Sequence, residues 1–406
     1  MSRELFYGYR IVSAGSVIQM LYLGCLFTYG VYFPQFESEF GWSRALISGA
    51  ASLNFFILGV FGIVMGGATD RFGPRLVLTL SGVVFAVGYL LLGRLSTALE
   101  LYLFYGIFCG LGIAALDVAT LSPVARWFIR HRGMMSGIVK AGAGVGQVLI
   151  PLIAAVLVTV YGWRQACLLI GVVVLIGLAV MAQFMRGAPA ELGLQPLGAE
   201  TREEGIPTST ATGLTLKEAL ARQQFWILCL AKLSDMFCLF TIVTHIVPHG
   251  IDQGLSAPVA VTVLSTIGGC SIIGRILLGS TCDRLGAKLS LMISFALLLS
   301  SFILLQVSAE PRVLFLFALI YGIAHGGFFA VASPSVAEYF GTRSHGMIFG
   351  TVIFAGTLGG TVGPLLSGRI FDLTGSYQIA FFILSGLAIF GLLLASRLRP
   401  LTVTGG

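Results

Sequence analysis

Charge is scarce in this sequence: 10% of its 406 residues are Asp, Glu, Lys or Arg, against about 25% in a typical soluble domain. With 57% of residues hydrophobic, water is excluded as the main solvent of the folded chain. The seven cysteines, at 25, 109, 167, 229, 238, 270 and 282, show no C-x-x-C spacing, and most fall inside apolar stretches where a thiol behaves as a small hydrophobe. Neither a disulfide framework nor a metal site is indicated. A nucleophile with its base, a metal-ligand cluster and a phosphate loop are all missing, which argues against an enzyme and against a bound cofactor. A basic stripe is missing too. The formal charge is +7, but its lysines and arginines are scattered over short connections, so nucleic acid is not an expected partner. The first ten residues lead into a stretch too long for a signal-peptide core and without a small-residue cleavage site, so the first span is expected to be retained.

What fills the chain instead is a succession of apolar stretches, each near the ~20 residues needed to cross a ~30 Å hydrocarbon layer. Bounded by charges and turn residues, they fall near 11–35, 45–68, 76–94, 99–125, 135–160 and 164–186, then near 223–250, 257–281, 286–308, 312–338, 346–371 and 376–396. This predicts an all-α membrane protein of twelve transmembrane helices in two six-helix halves: 1–186 and 223–406, joined by a polar linker at 187–222 rich in Gly, Pro, Thr and Glu. Lysine and arginine are retained on the cytoplasmic side of a membrane. Of the 24 present, sixteen, Arg3 and Arg202 among them, fall on one set of connections, five on the other and three within spans. Both termini and the linker are therefore expected to be cytoplasmic, in a multi-pass protein of the cell (inner) membrane.

The halves repeat at a fixed offset. Gly66, Asp70, Arg71, Gly73 and Arg75 return 213 residues later as Gly279, Asp283, Arg284, Gly286 and Lys288. The same offset links Gly133, Gly137, Gly146, Pro151 and Gly162 to Gly346, Gly350, Gly359, Pro364 and Gly375. Parallel halves with a substrate site at their interface are the architecture such a repeat implies.

The twice-present G-x-x-x-D-R-x-G-x-R/K element, between spans 2 and 3 and again between spans 8 and 9, resembles the loop signature of the major facilitator superfamily. The resemblance implies a cytoplasmic gate at these ten residues. YGYRIV at Tyr7–Val12, GVYFPQFESEFGWSRALISGA at Gly30–Ala50 and RHRGMMSGIVKAGAGVGQVLIP at Arg130–Pro151 are similar to the monocarboxylate and oxalate/formate branch, over nearly the whole chain.

Ionisable groups inside spans default to functional candidates, because hydrocarbon makes them costly. They are Asp117, Lys140, Lys232, Asp235, His245, Arg275 and His325. Arg275 lies eight residues before Asp283, about 12 Å from the helix end, with no acidic residue at i±3 or i±4. Its fork suits a carboxylate substrate, the alternative being an ion pair with another helix. The resemblance assigns the matching span-8 arginine to substrate binding. It also implies an Asp four residues earlier for proton coupling; here that position is Ser271. The proton-carrier candidates are then Asp117, which alternatively pairs with Lys140, and His245, an imidazole able to take up a proton that also counts as a substrate contact. His325 is the third, although Gly326 and Gly327 beside it also suit plain helix packing. Lys232 and Asp235, three apart, are expected to neutralise each other. Tyr29, Tyr321, Phe329 and Phe354 are candidates for an apolar wall around a short carbon skeleton, with core packing as the alternative. Span 11 offers only Arg369, at its outer end, which favours a monoanion over a dianion unless Lys140 faces the cavity.

The expected activity is alternating-access transport of a small monocarboxylate such as L-lactate or pyruvate, with a proton as co-substrate, by a protein working as a monomer in the lipid bilayer. The alternative is an organic-anion exchanger without proton coupling.

Overall fold

In the computed structural model, which describes residues 6–199, 213–307 and 310–399, glycine and proline set most helix boundaries. Arg3, Arg202 and the linker positions 200–212 lie outside the described residues. Helices α1 (Tyr7–Phe27) and α2 (Tyr29–Phe40) follow each other across Thr28. Helix α3 (Arg44–Phe72) starts at Ser43, whose hydroxyl accepts from the Leu46 N–H at 3.3 Å. It ends at Gly73, whose φ of 82° favours glycine, and Pro74 then opens α4 (Pro74–Leu92). The next apolar stretch is broken into α5 (Ala98–Leu101), a π-helical segment Tyr102–Cys109, α6 (Gly110–Ile113) and α7 (Leu116–Trp127). Helices α8 (Arg132–Tyr161) and α9 (Trp163–Phe184) complete this part. After the linker come α10 (Leu216–Leu220), α11 (Gln223–Asp252), α12 (Ala257–Val307), α13 (Pro311–Phe340), α14 (His345–Thr374) and α15 (Gln378–Ser396).

Ten stretches among the described residues are long and apolar enough to cross a membrane. Two of them, Arg132–Phe184 with 53 residues and Val259–Gln306 with 48, are twice the length one crossing needs. They turn back at Gly162 (φ 79°) and Gly286 (φ 81°). Dividing them yields the twelve spans read from the sequence.

The chain forms two compact units whose borders differ from the expected halves. The first comprises Met1–Arg130, Ile138–Thr212 and Thr342–Gly350; the second comprises His131–Gly137, Gly213–Gly341 and Thr351–Gly406. The exchanged pieces are the first turns of α8 and α14, and the repeated aspartates explain the exchange. Asp283 accepts from the N–H groups of Gly133 (2.6 Å) and Met134 (2.8 Å) on α8. Asp70 accepts from Gly346 (3.1 Å) and Met347 (3.0 Å) on α14. Each carboxylate thus satisfies donors that a helix N-terminus leaves open.

In the first unit, α1 meets α8 closely because a Cβ at Gly142 or Gly146 would fall 2.1 Å from the carbonyl oxygens of Ser16 and Met20. The second unit uses the same device between α12 and α13, where a Cβ at Gly326 would lie 2.1 Å from the Ser271 carbonyl oxygen and one at Gly274 2.3 Å from that of Ile323. That contact sets α13 directly against the helix that carries Arg275.

Candidate functional site

The second unit gathers charge around one aromatic ring. Arg275 on α12 is 2% exposed and its guanidinium carbon stands 5.4 Å from the Phe329 ring centre. Lys232 on α11 is 5% exposed and its Nζ stands 5.1 Å from the same ring. Two cations from different helices therefore both approach one aromatic ring, a favourable contact for each in a desolvated place. Lys232 is paired through Nζ with Asp235 Oδ2 at 3.2 Å, so the expected neutralising pair forms. The other carboxylate oxygen, Oδ1, has no hydrogen-bond partner among the described residues. Lys232 and Asp235 line a void of about 20 Å³ with Phe328, Ser335 and Val352, enough for a single water. Gly356 on α14 allows the Lys232 stem its place, since a Cβ there would approach Lys232 Cγ to 2.9 Å.

Helix α13 contributes a ladder at i, i+4 spacing. Tyr321 and His325 have ring centres 6.0 Å apart, and His325 and Phe329 5.2 Å apart. The Tyr321 hydroxyl is buried and donates to the Leu239 carbonyl at 3.0 Å, so it is committed to the backbone. His325 Nδ1 and the Ser271 hydroxyl are buried without a hydrogen-bond partner among the described residues. Phe354 is half-buried on α14.

His245 stands elsewhere on α11, ten residues and about 15 Å beyond Asp235. Its Nδ1 meets the Tyr377 hydroxyl at 3.1 Å and its Nε2 the Pro364 carbonyl oxygen at 3.0 Å. A neutral ring with the proton on Nε2 satisfies both, Nδ1 accepting from tyrosine and Nε2 donating to the carbonyl.

In the first unit, Asp117 on α7 is paired with Lys140 on α8. Gln19 on α1 donates from Nε2 to both Asp117 Oδ1 and Thr120 Oγ1 at 2.9 Å. Tyr29 is part of this unit's core: its hydroxyl donates to the Ile47 carbonyl at 2.7 Å and its ring stacks on Tyr105 at 4.0 Å. Asp70 carries a further partner beyond the α14 N–H groups, the Arg126 guanidinium at 2.5 Å, and Arg126 also donates to the Thr342 carbonyl at 3.2 Å. Among the described residues no three His, Cys, Asp or Glu side chains are grouped to hold a metal ion.

Spacing along one helix makes Lys232 a functional candidate and the neutraliser of Asp235, but does not bring it to Phe329. Its position over Phe329 depends on α11 and α13 meeting at that level, which no single-helix pattern contains.

The sequence matches the model of the Major Facilitator Superfamily over residues 15–305 and 263–405. Monocarboxylate transporter 13 of Bos taurus is 27% identical over 389 residues, covering 95% of this chain and 88% of the bovine protein. Monocarboxylate transporter 11 of Homo sapiens is 25% identical over 398 residues, covering 95% and 81%. Among solved structures, the proton:xylose symporter XylE aligns with a TM-score of 0.70 at 14% identity, covering 97% of this chain and 96% of its own. The human organic anion transporter MFSD10 aligns with a TM-score of 0.69 at 18% identity, covering 96% and 99%. At these identities the structures speak for the fold alone.

Proposed function

The chain belongs to the Major Facilitator Superfamily, a family of membrane transporters, and from that premise we propose that it carries a small monocarboxylate such as L-lactate or pyruvate together with a proton. The observation that supports this most is the pair of buried cations, Arg275 and Lys232, on the Phe329 ring. A carboxylate takes the Arg275 fork through two parallel charge-assisted hydrogen bonds, and the ring walls its short carbon skeleton. Arg275, Lys232 and Asp235 together carry one net positive charge, which suits a monoanion. Lys140 has its own aspartate in the first unit, so it does not argue for a dianion. The names of the curated relatives point the same way.

Of the groups able to hold the proton, Asp235 fits best. His245 is satisfied as a neutral ring, and Asp117 is braced by Lys140 and Gln19. His325 stands between the rings of Tyr321 and Phe329 on its own helix. With Asp235 ionised, Lys232 is neutralised locally. With Asp235 protonated, the Lys232 charge turns to the ring it shares with Arg275, and anion binding strengthens. Proton and carboxylate then favour each other, as symport requires. In the same proposal the arginine-rich connections and both termini face the cytoplasm, the protein works as a monomer, and the two aspartate-capped loops hold and release the cytoplasmic gate during alternating access.

The test is uptake of radiolabelled L-lactate into proteoliposomes with and without an inward proton gradient, for wild type, Arg275→Ala and Asp235→Asn. Gradient-driven uptake lost in Arg275→Ala, and gradient-insensitive uptake in Asp235→Asn, are the expected results. A second reading, anion exchange, draws on Ser271 standing where the resembled branch places an Asp. Wild-type lactate movement that ignores the gradient and needs a preloaded anion would establish exchange and remove symport.

A further inference from the structure

The repeat places the same helix start in both units but finishes it differently. In the second unit the helical run after Gly286 begins at Ala287, whose N–H is accepted by Glu338 Oε2 at 2.8 Å. A carboxylate from α13 is thus built in at that N-terminus. At the matching offset in the first unit, Glu338 becomes Ala125 and Ala287 becomes Pro74. Helix α4 accordingly starts with no side-chain cap.

Around that start lies an open cavity of about 870 Å³ lined by five arginines: Arg71, Arg75, Arg126, Arg186 and Arg343. Two carboxylates also line it, and both are engaged. Asp70 holds Arg126 and the α14 N–H groups, and Glu191 accepts from the Ala188 N–H at 3.1 Å. Arg75 spends its Nε on Gln183, and Arg186 donates to the backbone carbonyls of Gln183 and Met185. Each guanidinium has five N–H donors, so both keep others for a ligand. Phe72 and Leu76 line the same cavity and are 58% and 49% exposed. The matching Leu285 and Leu289 of the second unit are also exposed, so an apolar flank is common to both. Arg71, Arg75, Arg186 and Arg343 match Arg284, Lys288, Arg399 and Arg130 at the same offset, so the difference lies in the missing carboxylate and in Arg126, which stands where the other copy has Tyr339.

We propose that this cavity is a phosphate site, filled in the membrane by the phosphodiester headgroup of an anionic phospholipid, with its acyl chains along Phe72 and Leu76. Pro74 has no N–H, so the donors that meet the ligand are the following N–H groups of the first turn of α4 and the arginine forks. The uncapped α4 N-terminus and the arginine forks recognise phosphate oxygens, and basic pockets at the headgroup level are where such lipids dwell. This site is separate from the Arg275 cluster and stands whether or not the transport reading does.

The experiment is native mass spectrometry of the full detergent-purified chain with 1-palmitoyl-2-oleoyl-phosphatidylglycerol, the matching phosphatidylcholine, or inorganic phosphate. Wild type is expected to retain one phosphatidylglycerol against an excess of phosphate and to discriminate against phosphatidylcholine. Arg71→Gln/Arg343→Gln is expected to weaken phosphatidylglycerol retention about 30-fold and leave phosphatidylcholine unchanged. Arg71→Lys/Arg343→Lys keeps charge but loses the forks, and carries the test with an intermediate loss if the Gln variant unfolds in a thermal melt. Equal retention of the two lipids, or undiminished phosphatidylglycerol retention by folded variants, overturns the site. Displacement of the lipid by an equal concentration of phosphate overturns the lipid as its occupant.

Discussion

Each unit buries a lysine beside an aspartate, and the two pairs are built differently. In the first unit Asp117 and Lys140 come from α7 and α8, with Gln19 of α1 holding the carboxylate as well. Three helices are tied by one polar knot, and changing its protonation would loosen all three. In the second unit Lys232 and Asp235 sit three residues apart on α11. Their pairing ties no helices together, so the lysine can turn from Asp235 to the ring it shares with Arg275 without unpacking the unit. In the proposed reading the cross-helix pair is a brace and the same-helix pair beside a second cation is the switch.

That contrast is broken most severely at Arg275. Arg275→Ala is expected to lower L-lactate uptake about 100-fold or more, since losing one partner of a buried charge-assisted contact costs about 2–5 kcal/mol. Arg275→Lys should recover only part, because the ammonium lacks the fork. Uptake within threefold of wild type in the alanine variant would remove Arg275 from the site.

Asp235→Asn should act on coupling more than on binding. Stimulation by an inward proton gradient is expected to vanish while exchange against preloaded lactate survives within about tenfold, the scale of a single charged hydrogen bond. If the variant remains gradient-stimulated, the switching role belongs to another group and the comparison of the two pairs fails on its functional side.

The repeated loops offer a finer contrast. Asp70 binds two N–H groups and the Arg126 guanidinium, whereas Asp283 binds two N–H groups with the Arg132 charge nearby, and 213 residues after Arg126 stands Tyr339. Asp70→Asn is expected to slow uptake about thirtyfold and Asp283→Asn about threefold, a gap of about tenfold in line with one additional charge-assisted bond. The two variants compared in the same vesicles decide it; equal slowing would mean that the Arg126 contact adds nothing to the gate.

The repeat itself was fully legible in the sequence, because glycines at a positive φ and helix-capping aspartates are fixed by local backbone needs. So were the spans, since hydrocarbon thickness dictates their length. The exchange of the first turns of α8 and α14 was not legible: it depends on which donors Asp283 and Asp70 reach in space. Arg275 stood out because a buried guanidinium is rare in any span. Lys232 did not, because its same-helix partner masked it and its contact with Phe329 is made across α11 and α13. His245 stood out for its chemistry, yet its two partners, Tyr377 and Pro364, lie more than a hundred residues away along the chain.

The smallest transport effect is expected at the first-unit knot, and it is the sharpest test of the opposition between bracing and switching. The Asp117 side chain is 21% exposed, so the cost of breaking its pair falls well below the 3–5 kcal/mol of a fully buried one; about 1–2 kcal/mol is the expected loss in Asp117→Asn. A lowered unfolding temperature with uptake per folded protein, and its gradient dependence, within twofold of wild type would identify a brace. Replacing both partners with apolar residues, Asp117→Leu with Lys140→Met, should regain much of the lost stability, since neither charge is left behind without the other. Abolished gradient dependence in that double variant would instead make the knot part of the proton path, and the two units would then share the coupling that we assign to the second alone.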